Sequence, residues 1–129
     1  MKIVHIAPKA IYNDYWGFHE NLLPKYHRKL GHDVTLIVSN LSHIDKSVGK
    51  VECADYRLED GIRVIRRQFK KYLIHSLTSQ NSWLEVFDLL VEIEPDYIFY
   101  HGLIGKTIYD VVKYKKNEKN KRKRKENGL

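Results

Sequence analysis

The chain has 129 residues, of which 43% are hydrophobic and 12% aromatic, and this is enough for one modest domain with a core. The net charge of +7 belongs to residues 113–129, which hold nine Lys or Arg and two Glu, so the other 112 residues are neutral overall and do not form a basic domain. The single cysteine, Cys53, excludes an internal disulfide and a thiolate zinc cage, and it suits a reducing compartment.

The first forty residues have the pattern of a βαβ unit. Residues 2–7 and 33–39 are apolar runs without polar alternation, which is typical of central parallel strands covered on both faces. The segment between them has the apolar stripe of an amphipathic helix. Pro24 is expected to kink this helix or to mark where its regular part begins, and Gly31 is expected to end it. The stripe consists of Phe18, Leu22, Tyr26 and Leu30, with Leu23 beside it.

One clear element is predicted in residues 40–80. The segment 40–60 is polar and interrupted, whereas the sequence GIRVIRR, residues 61–67, predicts a third strand. Residues 68–80 have no clear period, and they are expected to form a loop or an irregular helix.

The last third of the chain predicts a helix, a strand and another helix. The sequence SWLE, residues 82–85, is a capping box in which Ser82 and Glu85 satisfy each other's backbone amides, and it opens a helix to about Ile93. Residues 96–101 predict a further buried strand. An apolar stripe in the final helix comprises Ile108, Val111 and Val112. With the earlier elements, this pattern predicts an α/β fold with a parallel sheet.

The loop after the first strand is one candidate for ligand binding, because ligands of open parallel sheets bind beyond the carboxyl ends of the strands. Gly17 leaves free amides ahead of the first helix, where a phosphate or a sugar hydroxyl can bind, although a simple turn explains this residue better. Glu20 and Asn21 lie on the first helical turn, where capping or solvation is the better explanation. The aromatic residues of the segment IYNDYWGF can stack on a sugar or pack as a lid. The loop has neither the dinucleotide-binding nor the P-loop glycine pattern.

His101 is the candidate catalytic residue, because the strand predicted for residues 96–101 ends with it and places it in the crevice beyond the carboxyl ends of the strands. A histidine there can donate to a sugar hydroxyl or act as a base, and a structural histidine bonded to a backbone carbonyl explains the position equally well. Gly102 would let a ligand approach the backbone. The other histidines lack metal-ligand spacing, so we predict no metal site; they are His5, His19, His27, His32, His43 and His75.

Four stretches in order resemble the N-terminal domain of family 4 (group 1) glycosyltransferases. MKIVHIAP with a loop ending in Gly17, and then ENLLPKYHRKLGHDVTLIVS, resemble the start of that domain, while EDGIRVIRR and EIEPDYIFYHGL look like its later strands. The resemblance covers residues 1 to about 115. It implies a Rossmann-like parallel sheet with flanking helices over residues 1–112, forming an incomplete N-terminal half of a GT-B enzyme.

The resemblance also implies a function. In that family the first half holds the acceptor, a glycan or a lipid-linked sugar, and the second half binds the nucleotide-sugar donor. Gly17 matches the loop glycine near the donor phosphates and the acceptor, and His101 matches the strand-end histidine, but Trp16 stands where the family usually has another glycine. The paired-glutamate donor motif has no counterpart. The implied reaction is a retaining transfer without metal or other cofactor, and the chain is expected to be inactive unless a separate donor domain completes it.

Residues 113–129 predict a disordered basic tail. Clustered Lys and Arg attract nucleic acid, but the tail has no series of interleaved aromatic residues and the domain is neutral, so we do not expect nucleic acid as the partner. A small α/β domain whose tail binds nucleic acid or a protein remains the alternative, and a flavodoxin-like interaction protein is a third. The tail starts where the family has another core strand, so we expect it to mark an interruption such as a frameshift.

The sequence also bears on location. No apolar run reaches the length of a membrane span, and the opening MKIVHIAP has too short an apolar stretch for a signal peptide. We therefore expect a cytoplasmic protein, with peripheral contact to the inner face of the membrane left open.

Overall fold

The computed structural model describes residues 1–8, 11–15, 17, 19–44, 47–71, 82–102 and 106–128. Three helices and nine strands lie in these segments. In chain order they are β1 (Lys2–Ala7), α1 (His19–Lys29), β2 (Asp33–Ser39), β3 (Leu41–Ile44), β4 (Ser47–Lys50), β5 (Ala54–Arg57), β6 (Arg63–Arg67), β7 (Lys70–Lys71), β8 (Ser82–Trp83), α2 (Phe87–Ile93), β9 (Tyr97–Tyr100) and α3 (Thr107–Glu126).

The main sheet has five strands in the order β5-β6-β2-β1-β9. Strands β6, β2, β1 and β9 run parallel, and β5 joins β6 in the antiparallel direction. In this register His5 of β1 lies between Leu36 of β2 and Phe99 of β9. The bounds predicted for the first two strands are confirmed, and so is the α/β class with its parallel sheet.

Helices cover both faces of this sheet. On one side, which we call the α2/α3 face, apolar side chains of the strands pack against the later helices; the buried set is Val4, Ile6, Ile37, Ile65, Leu84, Val86, Leu89, Leu90, Val111 and Tyr114. On the opposite side, the α1 face, α1 packs over β1 and β2. The buried apolar residues of this side are Ala7, Tyr12, Val34, Leu36, Val38, Ile62 and Val64. Two-sided burial accounts for the continuous apolar runs of β1 and β2.

The apolar stripe of α1 is not the face that this helix buries. Leu22, Tyr26 and Leu30 are 53%, 59% and 57% exposed, whereas Asn21 and Pro24 are buried. The reason is that the sheet and loops beneath α1 offer polar partners, so the helix turns its polar side inward. Gly31 has φ +93°, which confirms the left-handed residue predicted after the helix.

Helix α2 begins four residues later than the capping box predicts, at Phe87. Ser82 and Trp83 pair with β7 instead, and the carboxylate of Glu85 lies 2.7 Å from the ammonium of Lys70. Asp110 of α3 accepts hydrogen bonds from the amides of Val86 and Phe87, at 2.9 and 3.2 Å. A carboxylate distant in sequence thus takes the role expected of Ser82.

Helix α3 continues to Glu126, in contrast to the disorder predicted from residue 113. Two properties account for the difference: residues 107–126 contain neither glycine nor proline and are rich in Lys, Arg and Glu, which favour helix, and Tyr114 is buried in the core as an anchor. Neither α3 nor any other helix in the described segments has the apolar length needed to cross a membrane. Of residues 68–80, predicted as loop or irregular helix, Lys70 and Lys71 form β7, and residues 72–80 lie outside the described residues.

Candidate functional site

The candidate site lies at the carboxyl ends of the parallel strands, at the point where the strand order reverses. From β1 the chain passes through α1 to β2 on one side, while β9 lies on the other side of β1, and in open parallel sheets this reversal of strand order leaves a crevice beyond the carboxyl ends of the two strands. The amide of His101 donates to the carbonyl of Ile6 at 2.8 Å, which holds this residue at the end of β9. An open depression of about 380 Å³ is lined by Leu22, Leu23, Tyr26 and His101.

A larger depression, of about 500 Å³, lies at the other end of α1. Its lining includes Arg28, whose guanidinium donates to the carbonyls of Asp60 and His32 at 2.8 and 3.1 Å. These bonds tie α1 to the turn before β6, so Arg28 has a structural role there. We place the candidate site at the crevice because the strand ends and His101 meet there.

Behind His101 lies a row of three histidines. His5 is fully buried in β1, and its Nδ1 lies 3.0 Å from Nε2 of His101. On its other side, Nε2 of His5 lies 2.9 Å from Nδ1 of His27 on α1. The ring of Phe99 stacks on His5 with 5.1 Å between centroids and 16° between planes. We call His101, His5 and His27 the histidine row.

Burial keeps the middle of this row uncharged. The pKa of His5 is lowered to about 3, first by burial and then by His101 and His27. The pKa of His27 is lowered as well, by burial first and by His32 second. A neutral imidazole has one donor and one acceptor nitrogen, so a neutral His5 can satisfy both neighbours at once. A neutral His5 therefore links His101 and His27 in a continuous hydrogen-bonded chain.

The loop after β1 is fixed by buried amides. Asn21 is 4% exposed, and its Nδ2 donates to the carbonyl of Asn13 at 2.7 Å. The side-chain oxygen of Asn13 accepts from the hydroxyl of Ser42 and the amide of His43. Asn21, a predicted substrate-binding residue, thus holds the loop to α1 with its amide group.

Arg66 anchors the same loop from β6. It is 8% exposed, and its guanidinium donates to the carbonyl of Tyr12 at 2.8 Å and to the hydroxyl of Tyr56 at 3.2 Å. The guanidinium carbon also lies 5.0 Å from the centroid of the Tyr12 ring. The hydroxyl of Tyr56 donates to Asp14 at 2.7 Å. Burial, and then this hydrogen bond to Asp14, raise the pKa of Tyr56 to about 12, so its phenol stays protonated as a donor.

The other predicted binding residues lie at the same edge of the sheet. Gly17 is exposed two residues before α1, and a Cβ added there would meet nothing within 4 Å. Gly102 follows His101 with φ +81°, a conformation that favours glycine. Glu20 lies in the first turn of α1, but its side chain and all of Trp16 are outside the described residues.

Sequence reasoning missed two residues of this site, His5 and His27. Both were grouped with histidines lacking metal-ligand spacing. A usable signal existed for His5, because it is the one polar residue between Ile3 and Ala7 in a strand that is otherwise apolar. No comparable signal marked His27, since its partner lies 22 residues away in the chain.

Metal binding finds no support in the described segments, where no group of three or more His, Cys, Asp or Glu side chains is arranged to hold an ion. In the histidine row the facing nitrogens are hydrogen-bonded to one another and do not converge on a common point.

Comparison with known proteins gave no match. No protein-family model, no curated protein and no solved structure is significantly similar to this chain. The interpretation of the site therefore depends on its motifs and on the geometry of the crevice.

Proposed function

We propose that this domain is the acceptor-binding side of a GT-B glycosyltransferase, in which a sugar passes from a nucleotide-sugar donor to a glycan or lipid-linked acceptor. The observation that carries the proposal is the crevice at the reversal of strand order, with His101 at its edge. The order β6-β2-β1-β9 is compatible with strands 3-2-1-4 of a doubly wound sheet, in which ligands bind where the order reverses, between strands 1 and 4.

The lining of the depression suits a sugar. Leu22, Leu23 and Tyr26 provide an apolar and aromatic wall for the face of a pyranose ring, and His101 is the polar side chain of the lining. The first amides of α1, just after Gly17, lie at the positive end of the helix dipole and would favour a donor phosphate.

The nucleotide of the donor would be held by a separate donor-binding domain. We therefore expect the domain to bind acceptor sugars weakly and to transfer nothing by itself, without metal or other cofactor. A lipid-linked acceptor would bring the domain, in the cytoplasm, to the inner face of the membrane.

Sugar binding can be tested by saturation-transfer NMR with the methyl α- and β-glycosides of glucose, galactose and mannose. We expect signals from at least one glycoside, their loss in His101→Ala, and their retention in His43→Ala, a control histidine exposed on β3. Signals that persist unchanged in His101→Ala, or no signal from any glycoside, would contradict the proposal. Incubation with UDP-glucose and the bound glycoside is expected to give no product, and a product would show that no second domain is needed.

A second candidate function, nucleic-acid binding, is favoured by one observation. Residues 119–126 of α3 are all exposed and carry six Lys or Arg. Fluorescence anisotropy with a 20-nucleotide RNA and a duplex DNA at 150 mM salt separates the two functions. We expect no binding there; micromolar affinity that falls steeply with salt and disappears when residues 121–125 are replaced by Gln would favour this second function.

A further inference from the structure

The histidine row joins the crevice to the surface of α1 by hydrogen bonds alone. We propose that the row acts as a single tautomeric unit: His101, His5 and His27 all carry their proton on Nδ1 or all carry it on Nε2, so that the state of His27 sets the nitrogen that His101 protonates. His5 and His27 are then positioning residues for His101. The inference depends on the geometry of the row and holds whatever ligand the crevice takes.

His5 links the two ends of the row, because both of its nitrogens have a histidine partner. Nδ1 lies 3.0 Å from His101 and Nε2 lies 2.9 Å from His27, both within hydrogen-bond range. The ring is completely buried and stacked on Phe99, which hinders a flip that would exchange its nitrogens. A neutral His5 must therefore donate to one neighbour and accept from the other.

The two directions of the chain fix the protons of the end residues. If His5 donates from Nδ1 to His101, then Nε2 of His101 accepts and its proton is on Nδ1, while His27 donates from its own Nδ1 to His5. If His101 donates from Nε2 instead, His5 donates from Nε2 to Nδ1 of His27, whose proton is then on Nε2. Every member of the row has the same tautomer in either direction.

An added proton can enter at one end only. A doubly protonated His27 donates to His5 and leaves a neutral His101 with its proton on Nδ1. A doubly protonated His101 donates to His5 and leaves a neutral His27 with its proton on Nε2. If both ends were doubly protonated, His5 would have to accept at both nitrogens, which requires an imidazolate. The titrations of the two ends therefore oppose each other.

Among the described residues, the groups packed around His5 and His27 leave this logic intact. At the α1 end, His32 lies with its ring 6.4 Å from His27, and its Nδ1 is 3.2 Å from the terminal ammonium of Met1. The ring of Tyr26 lies 6.3 Å from His27. From β9 the neighbours are Phe99, which does not titrate, and Tyr97, whose ring lies 6.4 Å beyond it. Leu36 of β2 is the register partner of His5.

The test is long-range ¹H–¹⁵N NMR of the uniformly labelled chain at pH 7.5, which distinguishes the two tautomers of each neutral histidine. We expect the same tautomer, or the same mixture of tautomers, at the three positions of the row. Replacement of His27 by Ala should change the tautomer ratio at His101, at the other end of the row, whereas His43→Ala should not. A merely structural His27 would not shift that ratio.

Two results would overturn the proposal. The first is a different tautomer at His5 and His101 in the unmodified chain, which already decides the matter without any variant. The second is an unchanged ratio at His101 in His27→Ala. Where circular dichroism shows that the fold persists at pH 5, the chain should have at most one doubly protonated end, while His5→Phe should allow both. Two doubly protonated ends in the unmodified chain would also contradict the proposal.

Discussion

Both faces of the sheet bury apolar side chains, but the α1 face also contains a buried row of hydrogen-bonded histidines. Along β1, Val4 and Ile6 point toward α2 and α3 and enter a core made of apolar side chains. His5, between them, points toward α1 and joins two other histidines. Within β1 the strand period of two thus places hydrophobic-core residues on one side and a member of the histidine row on the other.

The two kinds of burial should respond to different substitutions. Apolar burial is non-directional and roughly proportional to area, so the α2/α3 face should respond to lost volume. Buried polar groups are costly unless each has its partner, so the α1 face should respond to a single missing hydrogen bond.

The largest effect is expected from Leu90→Ala on the α2/α3 face. Leu90 is 0% exposed, and truncation of such a side chain leaves a cavity that costs about 2–5 kcal/mol of unfolding free energy. Urea denaturation followed by circular dichroism measures the loss. The matched control is Leu22→Ala on α1, where the side chain is 53% exposed and less than about 0.5 kcal/mol should be lost. Equal losses would mean that stability does not follow the burial of these two leucines.

On the α1 face, Arg66→Met should cost about 1–3 kcal/mol, because the carbonyl of Tyr12 loses a buried donor while most of the stem volume is kept. The measurable sign is faster hydrogen exchange at the amide of Tyr12, which donates to Leu41 at 3.1 Å. Exchange at Leu90, on the other face, should change only as much as global stability does. Faster hydrogen exchange at Leu90 alone would contradict the role of Arg66 in holding the loop at Tyr12.

The pH dependence of stability should also depend on the α1 face, through His5. In the folded state the pKa of His5 is depressed to about 3 from an ordinary value near 6.5, so the unfolded chain binds this proton first as pH falls. The contribution of neutral His5 to the free energy of unfolding is complete above pH 6.5 and is lost toward pH 3. Over this range the free energy of unfolding falls by up to about 1.4 kcal/mol per pH unit. Urea midpoints from pH 7 to 5 measure the slope. His5→Phe should flatten it, and an unchanged slope would place the effect elsewhere.

The smallest effect concerns a polar contact on the apolar side. Asp110→Ala removes the carboxylate that accepts hydrogen bonds from the amides of Val86 and Phe87. We expect the free energy of unfolding to fall by about 1 kcal/mol, as for other helix caps. Asp88→Ala is the control, because that carboxylate is 63% exposed and pairs with Arg67 at the surface. A smaller loss for Asp110 than for Asp88 would exclude the capping role.

Much of the fold was predictable because burial on both faces leaves a direct mark on sequence. The runs of β1 and β2 gave correct bounds, and β6 and β9 were found within two residues. The strands β3, β4 and β5 were missed, since their side chains are mostly exposed and polar. The Rossmann-like topology and the function stay predictions.

The features that the sequence did not predict depend on contacts between residues that are distant in the chain. The inward side of α1 could not be read from its apolar stripe, because His27 and Asn21 find polar partners that only the folded chain brings near. The start of α2 depends on Asp110, which is 23 residues beyond Phe87. His101 lies directly after β9, as the strand pattern predicted, and its role stays a prediction, whereas His5 behind it is 96 residues away in sequence.

The two edges of the main sheet have a consequence for how the protein behaves in concentrated solution. Strand β5 closes one edge with exposed charged residues, Asp55 and Arg57, which discourage pairing with another molecule. Strand β9, with the sequence YIFY, pairs with β1 alone among the strands that the structure describes, and it has no charge to keep other strands away. Self-association should therefore start at β9, and a lysine in place of the exposed Tyr97 is the first change to make for better solubility.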